Sequence, residues 1–112
     1  MVKKAPAPRS PDLNDTHALR TSFQASLDQA EWLWLAKHVE RDAVILVAPG
    51  TDLLDIGVRI AQDDAATIET WIQEGKLAKP TRVQLDAWSS EPTKRFLSLV
   101  VQPYVLIQEI LH

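Results

Sequence analysis

The chain has 112 residues, 46% of them hydrophobic, and a formal net charge of −3 at pH 7, which suits one small domain with a hydrophobic core. It contains no cysteine, which excludes disulfides, thiolate metal sites and cysteine nucleophiles and is typical of a reducing compartment. No apolar stretch reaches the roughly 18 residues that a transmembrane helix needs, so no membrane contact is expected.

The first 11 residues differ in charge from the rest of the chain. They are rich in proline, carry three basic and no acidic side chains, and lack both hydrophobic periodicity and the apolar core of a signal peptide. The remaining residues keep 9 basic and 15 acidic side chains, and a surface with this net charge of −6 binds phosphate backbones poorly. We therefore expect a disordered basic tail at residues 1–11, one globular domain at residues 12–112 and a cytoplasmic location.

Helical signals come first in the domain. Asp15 and Thr16 are good N-caps, so a helix should begin there. Its apolar side chains recur every four residues and are Leu19, Phe23 and Leu27. Asp28–Glu31 has the spacing of a capping box, which predicts that a helix follows with Trp32 on its buried face. The pattern leaves open whether residues 16–40 form one bent helix or two.

A buried strand is predicted at residues 43–47, where five apolar residues are consecutive and turn residues follow. Asp52 should cap the next helix. From residue 53 to residue 61 only Asp55 and Arg59 are polar, so this helix should be central. Gly57 is expected to allow close approach of a neighbour, most simply the strand at residues 43–47.

The second half of the chain contains further helix and strand signals of the same kinds. Asp63 and Asp64 mark a break and a cap, and the apolar stripe that follows is Ile68, Trp71 and Ile72. Gly75 stands where a left-handed residue ends a helix, and residues 81–84 form a capping box that opens a short helix with Leu85 and Trp88 inward. A second apolar run, residues 96–107, is split by Pro103 into two short strands or one bent edge strand.

Together these elements predict an α+β domain in which four or five helices pack on a small sheet of two or three strands. The strand at residues 43–47 should lie beside residues 97–101, with residues 105–107 as a third element. Such a sheet has an unpaired edge, and a symmetric dimer is the commonest cover for it, with the N-terminal tail or a helix as the alternatives. We therefore expect a homo-oligomer or a complex with a protein partner.

Several motifs occur in an order that resembles a known family. The main ones are Asp52-Leu53-Leu54-Asp55-Ile56-Gly57-Val58, Ala61-Gln62-Asp63-Asp64, Lys79-Pro80-Thr81 and Val101-Gln102-Pro103-Tyr104-Val105-Leu106-Ile107-Gln108. Over residues 18–109 the chain resembles a small bacterial family that is known only as a domain of unknown function. The resemblance implies a stand-alone bacterial protein in the cytoplasm, and it implies no activity and no catalytic residue.

Catalytic and metal-binding patterns are weak. The histidines are His17, His38 and His112, and their spacing is not that of metal ligands. The paired carboxylates are Asp52 with Asp55 and Asp63 with Asp64. They suit Mg²⁺, Ca²⁺ or acid–base chemistry, but helix capping explains them more simply. No glycine-rich phosphate loop or serine nucleophile motif is present, so we expect no enzyme, cofactor or metal site.

Residues 52–82 offer an alternative function, because two helices and a basic segment resemble a helix-turn-helix regulator with a wing. The candidate recognition helix, residues 65–74, contains no Lys, Arg, Asn or His and carries Glu69 and Glu74. Acidic side chains repel the DNA backbone, so a structural helical hairpin is the preferred interpretation and nucleic acid is not the expected ligand.

The candidate interaction surface is Leu33, Trp34 and Tyr104. Trp34 falls off the helical stripe that includes Trp32, so it should be partly exposed together with Leu33. We interpret the chain as a small non-catalytic interaction or regulatory module that self-associates.

Overall fold

The structure, a computed structural model, describes residues 15–110. In this range the elements are α1 Thr16–Ser26, β1 Asp28–Glu31, α2 Trp32–Val39, β2 Val44–Val47, α3 Leu53–Ala61, α4 Ala65–Gln73, β3 Leu77–Ala78, α5 Arg82–Ser89, β4 Arg95–Val101 and β5 Tyr104–Glu109. The α+β class is confirmed, but the described residues form a sheet of five strands rather than two or three. The tail predicted at residues 1–11 and His112 lie outside the described residues.

The strands lie in the order β1-β4-β5-β2-β3, with β5 parallel to β2 and antiparallel to β4. The expected pairing of residues 43–47 with residues 97–101 is therefore wrong, because β5 lies between them. The chain turns tightly at Gln102 and Pro103, so β5 folds back onto β4, and β2 then pairs with the free edge of β5. Four consecutive residues of β5 are buried, as expected for a central strand that is covered on both faces.

Helices cover both faces of the sheet. On the first face, α1, α3 and α4 contribute to a core with the alternate strand residues Ile45, Val47, Leu77, Leu97, Leu99, Val101 and Leu106. On the second face, α2 and α5 pack against the strand residues in between, which are Val44, Leu46, Phe96, Val105 and Ile107. The period of two along each strand thus divides the apolar residues between two cores.

The capping box expected at Asp28–Glu31 is wrong, because these residues form strand β1. They pair antiparallel with β4, from Asp28 opposite Ser98 to Glu31 opposite Arg95. The β1–β4 ladder gives backbone hydrogen-bond partners along four residues, whereas a capping box gives partners to only two backbone N–H groups. The tertiary contact therefore prevails over the local signal. β1 also separates α1 from α2, which shows that residues 16–40 contain two helices.

The other helix-start predictions are confirmed. The side chains of Asp15, Asp52 and Asp64 each accept a hydrogen bond from a backbone N–H in the first turn of their helix. Thr81 opens α5 with a complete capping box, and Gly75 adopts a φ of 80° after α4. Local signals therefore set most helix boundaries in this chain.

Gly57 allows the close approach that was predicted, but the neighbour is β4 rather than β2. A Cβ atom at position 57 would lie 2.7 Å from Cδ2 of Leu99 and 3.4 Å from Cγ2 of Val101. Because real Cβ atoms do not approach this closely, glycine lets α3 lie directly on β4.

Candidate functional site

A groove of about 750 Å³ lies between α4 and the β2–β3 side of the sheet, and we call it the α4 groove. Its apolar lining comprises Ile45, Ile60, Ala65, Ile68, Ile72, Leu77 and Ala78. Its polar lining comprises Asp42, Asp63, Glu69, Lys79 and Tyr104. A concave apolar surface with a few polar groups at its rim is the usual form of a binding site.

The loose packing of α4 creates this groove. None of the nine residues of α4 is buried, whereas five residues of α3 are buried. Ile68 and Trp71 are only partly buried against the core of the first face, and the side chain of Ile72 is 55% exposed. The sequence places Ile72 on the apolar stripe that should be buried, and this prediction is wrong because the side chain is exposed. A helix held partly away from the sheet leaves apolar surface for a ligand.

Two aspartates with left-handed backbones help to form the rim. Asp42 follows α2 with a φ of 57°, and Asp63 follows α3 with a φ of 56°. Asp is among the few non-glycine residues that adopt this conformation readily. The N–H of Asp42 donates to the carbonyl of Val39, and that of Asp63 donates to the carbonyl of Ile60. The ends of two helices therefore place two carboxylates at one groove.

The rim has an excess of negative charge. Its single cation, Lys79, holds its Nζ 2.5 Å from Oδ2 of Asp42, and both side chains are well exposed. Within residues 15–110, no cation forms an ion pair with Asp63 or Glu69. A ligand that carries positive charge beside apolar side chains would match both parts of the groove.

The three residues of the predicted interaction surface lie in two places. Tyr104 lines the α4 groove. Leu33 and Trp34 are exposed on α2, where Trp34 lines a smaller cavity beside β1 and Arg95. Arg95 and Val101, the β4 residues nearest these two places, are about 20 Å apart along an extended strand. The structure therefore separates Tyr104 from the other two, and the role of all three in binding stays a prediction.

The paired carboxylates have structural roles. Asp52 and Asp55 at the start of α3 both form ion pairs with Arg20 of α1, and Oδ1 of Asp55 lies 2.8 Å from Nη1 of Arg20. Burial opposes ionisation of Asp52, but hydrogen bonds from Arg20 and from the N–H of Leu54 outweigh this effect and lower its pKa. Asp52 is therefore held ionised by a helix start and an arginine, as the capping interpretation predicts.

Asp64 is similar, because the hydroxyl and the N–H of Thr67 both donate to its carboxylate and lower its pKa. Within residues 15–110, no three His, Asp or Glu side chains are grouped so that they could hold a metal ion.

His38 lies in the last turn of α2, and the sequence predicts that it contacts the helix dipole or a carboxylate. It does lie at the helix end, and its Nδ1 contacts the guanidinium of Arg41 rather than a carboxylate. Partial burial and the positive charges of Arg41 and Lys37 lower the pKa of His38. Because the folded state favours the neutral ring, protonation as the pH falls through 6.5 and below favours unfolding. The contact with Arg41 and the position at the helix end account for His38 without a catalytic role.

The α3–α4 hairpin exists, but its surface is not that of a DNA-binding element. Glu69 and Gln73 are exposed on α4, which has no cationic side chain, and Glu74 is exposed at its C-cap. In the segment proposed as a wing, Nζ of Lys76 lies 3.2 Å from Oε1 of Glu74, and Lys79 forms an ion pair with Asp42. Acidic groups and paired lysines offer little for a phosphate backbone, so the structure adds no support to the DNA-binding alternative.

None of the helices within residues 15–110 has the length and hydrophobicity required to cross a membrane.

Comparisons with known proteins give a family but no activity. A family model described as "Protein of unknown function (DUF2288)" matches residues 18–109. The NMR solution structure of PA1075 from Pseudomonas aeruginosa is similar, with a TM-score of 0.69 and 26% sequence identity over 92% of this chain and 94% of that chain. No curated protein matches the chain.

Proposed function

The chain belongs to the DUF2288 family of proteins of unknown function, and we propose that it is a small non-catalytic interaction module. Its α4 groove binds an apolar, positively charged segment of a protein partner. The observation that carries this proposal is the combination of an apolar lining, an exposed Ile72 and a rim with excess negative charge. The structural roles of Asp52, Asp55 and Asp64 support the non-catalytic part of the proposal.

Affinity would come mainly from the apolar lining. Burying an isoleucine side chain contributes roughly 1.5–3 kcal/mol, and Ile72 is more than half exposed in the free protein. Asp63 and Glu69 would add specificity, because a cationic segment is attracted to this rim and an acidic segment is repelled.

Amide NMR spectra of the isotope-labelled full chain test this function with two short synthetic peptides. The first contains leucine and lysine at helical spacing, and the second replaces every lysine with glutamate. We expect the leucine–lysine peptide to shift the amide signals of Ile68, Glu69 and Ile72, and the acidic peptide to leave them in place. The shifts should weaken at high salt because the rim charges are exposed.

A matched pair of variants separates the groove from general surface effects. Ile72→Lys removes apolar contact and adds a repelling charge, and we expect it to weaken binding of the leucine–lysine peptide about tenfold or more, which corresponds to about 1.4 kcal/mol. Val83→Lys changes an even more exposed residue of α5, on the other face of the sheet, and should leave binding unchanged. Equal binding by both variants would contradict the proposal.

Self-association is a second candidate function, and the exposure of Leu33 and Trp34 favours it. Their side chains are 60% and 61% exposed at adjacent positions on α2. A large exposed aromatic side chain is typical of interface centres. The sheet edge is a poorer surface for a dimer, because β1 has only four residues and antiparallel pairing of two copies would place Asp28 near Glu31.

Size-exclusion chromatography with light scattering tests the second candidate. We expect the full chain to form a dimer as its concentration rises, and Trp34→Ala to shift the mass toward the monomer because an aromatic anchor is lost. Val83→Ala removes an exposed side chain elsewhere and serves as the control. A monomeric mass for the unmodified chain at every concentration would exclude this dimer.

A further inference from the structure

We propose that residues 1–14 of the chain bind in the α4 groove of the same molecule and compete there with the partner segment. This inference rests on the proposed function, because it takes the α4 groove as the docking site and adds a form of regulation to it. Three observations carry it: the position where the described chain begins, the length of the preceding segment, and the charges of that segment and of the groove.

The described chain begins beside the groove. α1 starts at Thr16, and Nε2 of Gln62 donates a hydrogen bond to Oγ1 of Thr16 at 3.1 Å. The residue after Gln62 is Asp63, which lines the α4 groove. Residues 1–14 are therefore attached to the structure within a few residues of one end of the groove.

The segment is long enough to follow the whole groove. The nine residues of α4, which form one wall, span about 14 Å at a rise of 1.5 Å per residue. Fourteen extended residues reach about 45 Å at roughly 3.3 Å per residue. Less than half of the segment would therefore cover the groove, and the rest would serve as the connection to α1.

The charges are complementary. Residues 1–14 contain Lys3, Lys4 and Arg9 with one acidic residue, whereas the groove presents Asp63 and Glu69 without a described cation partner. Pro6, Pro8 and Pro11 have no backbone N–H, so they can lie on an apolar surface without leaving a donor unpaired. The segment thus combines the two properties that the groove requires of its partner.

The covalent connection makes a weak contact sufficient. A short covalent connection gives an effective concentration in the millimolar range, so a contact with a Kd of about 1 mM between separate molecules would be occupied about half of the time within one molecule. At that occupancy, the apparent Kd of a competing partner is raised about twofold.

A single spin label tests the contact directly. The full chain has no cysteine, so Ala5→Cys creates one unique attachment site. With the label at position 5, we expect a loss of signal intensity for the amides of Ile68, Glu69 and Ile72 at low salt, and no loss for the amides around Val83 on the other face of the sheet. Adding Lys3→Glu, Lys4→Glu and Arg9→Glu to the labelled chain should restore the groove signals, because the charge complementarity is reversed.

A mixed sample separates a contact within one molecule from a contact between two copies. Spin-labelled chain without isotope label is mixed with isotope-labelled chain without spin label, so any loss of signal reports on a second copy. Loss only in the sample whose molecules carry both labels supports the proposal. Loss of equal size in the mixed sample assigns the groove to the segment of another copy, and no loss in either sample excludes the contact; both results overturn the proposal.

The leucine–lysine peptide distinguishes this inference from the proposed function. We expect it to bind about twofold or more tightly to the triple charge-reversal variant than to the unmodified chain, because internal competition is removed. If the peptide binds the groove equally well in both chains, the proposed function stands and the internal competition is wrong. If the spin label acts on the groove but the peptide does not bind, the segment docks and the proposed function fails.

Discussion

Replacing Phe96 with alanine is expected to lower the free energy of unfolding by about 3–5 kcal/mol. Phe96 is fully buried on the second face of the sheet. Its ring centroid lies 5.8 Å from that of Trp32 on α2 and 4.9 Å from that of Trp88 on α5. The two tryptophans also contact each other, at 5.0 Å, so Phe96 is the strand residue that joins both helices to the sheet. Its removal would leave a cavity that three separate elements cannot easily fill.

Urea unfolding followed by tryptophan fluorescence measures this effect, since two of the reporting residues surround the substitution. Val100→Ala is the matched control, because Val100 lies on the same strand and faces the same side but is half exposed. The control should change stability by less than about 1 kcal/mol. Equal losses for the two variants would mean that Phe96 does not connect the helices to the sheet.

Replacing Gly57 with valine should also destabilise the protein, by about 2–3 kcal/mol. The new side chain would have to enter the contact between α3 and β4, where Leu99 already lies too close for a Cβ atom. Leu99 is fully buried in the core of the first face, so its side chain has little room to move. Gly57→Ala should have a smaller effect, because alanine favours the helix over glycine by about 1 kcal/mol and offsets part of the clash.

A double variant identifies the cause of the Gly57 effect. In a chain that carries Leu99→Ala, the substitution Gly57→Val should be less destabilising by about 1–3 kcal/mol, since the clashing atom has been removed. Ala66→Val on exposed α4 is a control for the helix propensity of valine and should change stability by less than about 1 kcal/mol. A purely additive double variant would show that close packing on β4 is not the reason for the glycine.

Sequence patterns predicted the parts of the fold that depend on neighbouring residues. Asp15, Asp52, Asp64 and Thr81 cap helices where expected, because a cap involves groups only a few residues apart. β1 was missed, since its partner β4 lies more than 60 residues later and its own residues match a capping box. Strand order failed for the same reason: an apolar run indicates burial but carries no information about which edge it meets.

The candidate site was less predictable than the fold. Trp34 is exposed, as its position off the helical stripe predicts, and Tyr104 borders the groove. Ile72 was expected inside, because spacing along a helix identifies an apolar face but not how closely the helix approaches the sheet. Asp42 and Asp63 follow different helices and meet at one rim only through the tertiary fold. One signal in the sequence points to the exposure of Ile72. Trp71 and Ile72 are adjacent on α4, so the apolar surface of this helix is wider than the stripe that one contact with the sheet covers.

The position of β5 has a consequence for synthesis on the ribosome. Among the elements of residues 15–110, β5 comes last, yet it joins the β1–β4 pair to the β2–β3 pair. A nascent chain that has not reached Tyr104 therefore holds two separate ladders and leaves the apolar edge of β2 open to other chains. β5 must leave the ribosome before the two halves can unite, so a chaperone that shields Val44–Val47 during elongation would raise the yield of native protein.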